Sequence, residues 1–115
     1  MKISYRVSLD DPKEVRRRRF VRDAGPWPFP SLPSAGDAIA VDDASTGRWI
    51  LESGEGETAL HSLTPLQIFN AARVQTVVYV PATADAFIDL AADGLRGDFE
   101  EQITALVAAG FREIN

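Results

Sequence analysis

The chain has 115 residues, 45% of them hydrophobic and 25% charged, the size and composition of one folded domain over residues 1–115 rather than of a disordered chain. It contains no cysteine, which excludes disulfides, thiolate metal sites and a cysteine nucleophile. The net charge of −5 is uneven, +5 over residues 1–22 and −10 over residues 23–115. Overall acidity disfavours indiscriminate binding to phosphate backbones, while the two parts attract each other within one molecule or between two. Met1–Arg6 holds no apolar run of signal-peptide length, and no window approaches the roughly 20 apolar residues of a membrane span. The expectation is a soluble, cytoplasmic protein with no membrane partner.

Lys2–Leu9 alternates strictly, with Ile3, Tyr5, Val7 and Leu9 on one side and Lys2, Ser4, Arg6 and Ser8 on the other, the pattern of a half-buried strand. Asp10-Asp11-Pro12-Lys13 predicts a reversal. The returning segment 14–22 contains Arg16, Arg17, Arg18 and Arg19. Pairing Leu9 with Val15 and Ile3 with Val21 sets Arg17 and Arg19 against Val7 and Tyr5, and a slip of one residue sets Arg17 against Arg6. Either register suits an edge strand, where charge also discourages aggregation.

Residues 24–33 hold four prolines with Trp27 and Phe29 between them, an extended surface crossing pinned by two rings. Ala38–Val41 reads as a short strand, with Ile39 and Val41 on one face, and Asp42–Gly47 as a loop. Arg48–Ser53 and Thr58–Ser62 read as a hairpin in which Leu51 faces Leu60 and His61 faces Ile50. Thr64-Pro65-Leu66-Gln67, with Leu63 and Ile68 as a staple, predicts a helix running to Arg73.

Val74–Val80 is apolar on both parities, which predicts a central strand covered on both faces. Thr83 is positioned to cap a helix with Ala84, Phe87, Ile88 and Ala91 on one stripe, ending near Gly94. Asp98-Phe99-Glu100-Glu101 is an acidic capping box for a further helix with Phe99, Ile103, Leu106 and Val107 as its apolar face. Gly110 closes it, with Phe111 reaching back to Leu106. Phe111–Ile114 forms a last short strand, parallel to Val74–Val80 if the helices make a crossover. The fold class is therefore α+β: N-terminal antiparallel strands and hairpins, a central strand 74–80, and two or three helices on the sheet. A small, curved β-barrel with a C-terminal helical appendage is the alternative.

The binding candidates are Arg16, Arg17, Arg18, Arg19, Trp27 and Phe29. Guanidinium groups suit phosphate or acidic protein partners, although strand alternation divides the run into two pairs. Tryptophan and phenylalanine suit docking on an apolar surface, but a loop held to its own core is the readier account, since large aromatics are normally well buried. His61 is the only histidine, and no Gly-x-Ser-x-Gly elbow accompanies it. Asp37, Asp42, Asp43, Glu55 and Glu57 lack the spacing of a calcium loop. Gly54–Glu57 is no phosphate cradle, and an anion site before the helix at Gly94–Gly97 is opposed by Asp98, Glu100 and Glu101.

No catalytic residue, metal site or cofactor is thus assigned. The leading expectation is a non-catalytic protein-interaction module that binds a protein partner or itself. The alternatives are RNA or single-stranded DNA binding through strand 16–22, and a small-molecule enzyme using His61.

Overall fold

A computed structural model describes residues 2–24, 32–43, 48–53, 56–61, 68–69 and 71–114, with 40–43, 48–53, 56–61 and 71 described through their backbone alone. The strands are β1 (Lys2–Asp11), β2 (Arg16–Asp23), β3 (Ala38–Asp43), β4 (Arg48–Ser53), β5 (Gly56–His61), β6 (Ala71–Val80), β7 (Asp85–Leu90) and β8 (Arg112–Ile114). One α-helix, α1 (Phe99–Ala108), and a 3-10 turn, Ala92–Gly94, lie between β7 and β8. The eight strands form one open sheet in the order β5-β4-β3-β6-β7-β1-β2-β8. β1 and β7 run parallel, and every other neighbouring pair is antiparallel. The architecture is α+β, mostly strand, and no barrel closes.

β1 is the half-buried strand its alternation predicts. Ile3, Tyr5, Val7 and Leu9 are all buried, and they meet Phe20 of β2, Ala86, Ile88 and Leu90 of β7, and Leu106 of α1 in one core. Burying a side chain of this size is worth about 1.5–3 kcal/mol, so this row contributes much of the driving force. Burial raises the pKa of the Tyr5 hydroxyl well above its ordinary value, and the nearby Arg22 charge opposes that shift.

The reversal after β1 is built by Asp11, whose Oδ1 accepts from the backbone N–H of Lys13 at 2.9 Å and of Glu14 at 3.2 Å. The loop then holds four residues, Pro12–Val15, and Asp11 pairs with Arg16. This turn shifts the register from both of the anticipated ones. Val7 faces Phe20, Leu9 faces Arg18, and Asp10 faces Arg17, so acids meet bases where the anticipated registers set Arg17 against Val7 or Arg6. β2 is also not the edge, because β8 pairs antiparallel with Arg19–Val21. β8 is accordingly not parallel to Val74–Val80.

The hairpin β4–β5 closes Ser53 on Gly56, two residues tighter than anticipated, so Leu51 faces Thr58 and His61 faces Arg48.

β6 is interior in strand order, but it is not covered on both faces. Val74 is buried, whereas Val78 is 38% and Tyr79 52% exposed. Apolar parity on both sides here reflects a strand that runs out past its covering layer.

The two helices expected on either side of β6 are corrected. Ala71–Arg73, the end of the first, are strand, and its start signals at 63–67 lie outside the described residues. Of the second, Asp85–Leu90 is β7 and only Ala92–Gly94 is helical. Ala86, Ile88 and Leu90 are buried in alternation, a period of two that the parallel pairing with β1 selects.

α1 follows expectation. Asp98 accepts from the N–H of Glu101 at 2.9 Å, and Glu101 accepts from the N–H of Asp98 at 3.4 Å, a complete capping box. At the other end Phe111 N–H bonds to Leu106 C=O at 2.9 Å and Gly110 N–H to Val107 C=O at 3.0 Å, a Schellman motif. Gly110 takes φ +92 there, with Arg22 lying where a Cβ would project. Phe99, Ile103 and Leu106 turn to the core, but Val107 is 58% exposed, one residue off the apolar stripe.

Two turns of like construction, Pro12–Val15 and Pro81–Ala84, each end on a left-handed residue, Val15 at φ +50 and Ala84 at φ +55. Val15 is 91% exposed, so its β-branched side chain strains the backbone without packing in return. Val15→Gly removes a left-handed cost of about 1–2 kcal/mol, less the ~0.5–1 kcal/mol of glycine entropy, and is expected to leave a small net gain. Urea unfolding measures it as a raised midpoint with an unchanged slope.

Candidate binding site on the open sheet face

α1 covers only the face of the sheet that carries Ile3, Tyr5, Val7 and Phe20. The opposite face has no described element over it. Strand parity and register place Lys2, Ser4, Arg6, Ser8 and Asp10 of β1 there, with Arg17, Arg19 and Val21 of β2. Asp85, Phe87 and Asp89 of β7 join them, with Thr76, Val78 and Val80 of β6 and Arg112 and Ile114 of β8.

The arginine run divides across the two faces as alternation requires. Arg18 lies on the covered face, where its Nε and Nη2 donate to the Glu113 carboxylate at 2.8 Å each. Its guanidinium also lies 5.8 Å from the Phe20 ring centroid and 5.9 Å from that of Phe99. Asp11 stands 4.0 Å away. This is a clamp joining β2, β8 and α1. Arg16, on the same face, pairs with Glu14 at 2.5 Å. Both arginines still line a hollow of about 320 Å³ with Arg17, Arg19, Glu113 and Ile114.

Arg17 and Arg19 lie on the open face and come together with a residue the sequence did not single out, Arg6. The three line a cleft of about 500 Å³ with Ser8, Gln75 and the carboxylates of Asp10, Asp89 and Asp93, open at the carboxyl ends of the parallel pair β1 and β7. Arg6 is fixed there: Nε and Nη2 donate to Asp89 Oδ1 and Oδ2 at 2.6 and 2.9 Å, and the guanidinium stacks 4.9 Å over the Phe87 ring. The Thr76 hydroxyl donates to Asp89 Oδ2 at 2.8 Å and completes the support. The hydrogen bonds to Asp89 raise the Arg6 pKa further above its ordinary value. Arg17 makes one longer contact, 3.3 Å to the exposed Asp10. Arg19 faces Ser8 and has no carboxylate partner among the described residues.

A second hollow of about 220 Å³ lies along the same face, with Ser4, Val21, Phe87 and Ile114 as its floor and Lys2, Asp85 and Arg112 at its rim. Ser4 and Ser8 place the two hollows four residues apart on β1, about 13 Å at ~3.3 Å per residue. The Arg6–Phe87 stack stands between them.

Trp27 and Phe29 lie outside the described residues. His61 ends β5, at the opposite end of the sheet from β2, so the histidine and the arginine strand are not brought together. Among the described residues no three histidines or carboxylates gather to hold a metal ion. No described helix is long and apolar enough to cross a membrane. Sequence reasoning missed Arg6, Phe87 and Asp89 because residues 84–91 read as a helix. The signal that would have found them is the alternation of Asp85, Phe87 and Asp89 with Ala86, Ile88 and Leu90. Comparison with family models, curated proteins and solved structures finds no match to the chain.

The Arg18–Glu113 clamp makes stability depend on acid. The bonds from Arg18, first among the causes, hold the Glu113 carboxyl below its ordinary value of 4.5. The backbone N–H groups of the turn likewise hold Asp11 below its ordinary 3.8. A depressed carboxyl adds stability above its unfolded pKa, and that stability is lost as the pH falls through the folded one. Glu113→Gln is therefore expected to lower the urea midpoint near neutral pH, with the deficit shrinking steadily below about pH 4.5. A deficit that stays constant down to strongly acid pH would show that packing, not charge, holds β8 to β2.

Proposed function

We propose that the protein is a non-catalytic interaction module that takes an extended, acidic segment of a partner protein across the open face of its sheet. The observation that carries this reading is Arg19, a guanidinium with no carboxylate partner among the described residues, in a cleft with Arg17 and beside a hollow floored by Val21, Phe87 and Ile114. A carboxylate reaching Arg19 and Arg17 gains charge-assisted hydrogen bonds. An aliphatic side chain about four positions along the same segment reaches the apolar hollow. Arg6 offers its ring stack and rigid frame rather than free charge, since Asp89 takes both of its inward donors.

Nucleic acid fits less well. Arg6, Arg16, Arg17 and Arg18 are each matched by a carboxylate of the chain itself. A polyphosphate backbone would have to displace those carboxylates from a protein of net charge −5. A histidine enzyme finds no support in the cleft, which contains no histidine.

Fluorescence polarisation with a short peptide carrying a glutamate and, four positions on, a leucine tests the reading. Saturable binding is expected, weakened about tenfold to a hundredfold by Arg19→Glu, since a hydrogen bond to a charged group is worth roughly 1.5–3 kcal/mol. Arg16→Glu changes the net charge equally but lies on the other face, so it should leave binding within about twofold. Equal losses from the two variants would reduce the effect to general electrostatics. Tighter, steeply salt-dependent binding of an unstructured RNA oligonucleotide would replace the protein partner with a nucleic acid.

A further inference from the structure

β6 has a neighbour along only part of one of its sides. β7 pairs with it from Val74 to Val80, but β3 reaches only Ala71–Arg73. The backbone of Gly36 and Asp37 takes up the C=O and N–H of Val74. From Thr76 to Val80 no described strand lies along that outer side. Val74-Gln75-Thr76-Val77-Val78-Tyr79-Val80 contains no charge and no proline, the residues that usually guard a free edge. The one irregularity, a register shift between Val74 and Thr76, lies at the base of the segment. Towards its end a side chain on each face is exposed, Val78 by 38% and Tyr79 by 52%.

We propose that this edge pairs antiparallel with the same edge of a second copy, about a twofold axis, so that the two sheets run on as one. The segment is complementary to itself. Centred on Val78, the pairing sets Val77 against Tyr79, Thr76 against Val80 and Gln75 against Pro81, with no like charges opposed. The nearest charge on the strand, Arg73, already lies opposite Ala38 of β3 and takes no part in the pairing. A β-branched and an aromatic side chain meet twice by symmetry, a favourable cross-strand pair. The proposal does not rest on the peptide reading above: Val78 and Tyr79 at its centre do not line the arginine cleft, although Gln75 of the same strand does.

Two copies each bearing −5 repel one another, and salt screens that repulsion. Dimerisation through an uncharged edge is therefore expected to tighten with added salt. Head-to-tail docking of the basic N-terminal part on the acidic remainder would loosen with salt instead.

Sedimentation at about 1 μM and about 500 μM, in low and high salt, reads the mass of the full chain by mass action. Hydrogen exchange at both concentrations reads the amides of 76–80. The expected result is a doubled mass at high concentration, tighter in salt, with slower exchange confined to 76–80. Val78→Lys brings two ammonium groups together at the axis and should leave a monomer, whereas Val78→Thr keeps the branched shape and should still dimerise. Should Val78→Lys fail to fold by circular dichroism, Tyr79→Lys gives the same reading from the other face. A wild-type monomer at the higher concentration, or a dimer unaffected by either lysine, would overturn the proposal. So would amides at 76–80 equally protected at both concentrations in a monomer, because the chain itself would then cover the edge.

Discussion

The row Ile3, Tyr5, Val7 and Leu9 is the constraint around which the molecule is arranged. A two-stranded hairpin in water cannot hide such a row, and β1 with β2 alone would leave it open on one flank and above. The missing flank is β7, eighty residues along the chain and parallel to β1. The missing lid is α1, reached from β7 through the short 3-10 turn. The N-terminal strand is thus completed by the last third of the sequence. The remaining strands are placed relative to that pairing: β6 by its turn into β7, β3 and β4 beyond β6, and β8 against β2 once α1 has ended at Gly110.

The same pairing decides what becomes of the charge. A four-arginine strand beside an apolar row looks costly, since buried guanidinium needs a partner for each charge it keeps. The Asp11 turn resolves this by setting Asp10 and Asp11 opposite Arg17 and Arg16. Arg18, the least exposed of the four, lies near the rings of Phe20 and Phe99 and is fastened to Glu113 on β8. Arg19 falls opposite the neutral Ser8 on the face that α1 does not cover, whereas Arg18 falls opposite Leu9 on the covered one. The cleft therefore follows from the register. A slip of one residue would turn Arg19 onto the covered face and remove the site altogether.

Much of this was legible where the deciding interactions are local. The alternation of Lys2–Leu9, the Asx reversal at Asp11, the capping box at Asp98 and the Schellman end at Gly110 each rest on residues within a few positions of one another. Legibility failed where a distant strand casts the deciding vote. Residues 84–91 satisfy both a helical stripe through Ala84, Phe87, Ile88 and Ala91 and a strand alternation through Ala86, Ile88 and Leu90. Only β1, waiting for a parallel neighbour, separates the two patterns. Hairpin registers failed for a related reason: both were reasoned from facing apolar pairs, whereas the observed ones are set by the number of residues each turn encloses. With the register went the site, since Arg6, Phe87 and Asp89 reach one face only when β7 is a strand.

The two stretches that first stood out, the arginines of β2 and the valines of β6, are opposite treatments of one problem. Both strands run beyond a neighbour: β8 covers Arg19–Val21 but not Arg16–Arg18, and β3 covers Ala71–Arg73 but not Thr76–Val80. On β2 the uncovered backbone is flanked by guanidinium groups held by Glu14, Asp10 and Glu113, an arrangement hostile to a further strand. On β6 the uncovered backbone is flanked by valine and tyrosine, an arrangement that invites one. On the two proposals made above, the asymmetry gives the two sides different work: side-chain recognition at the charged end, and backbone pairing at the apolar one.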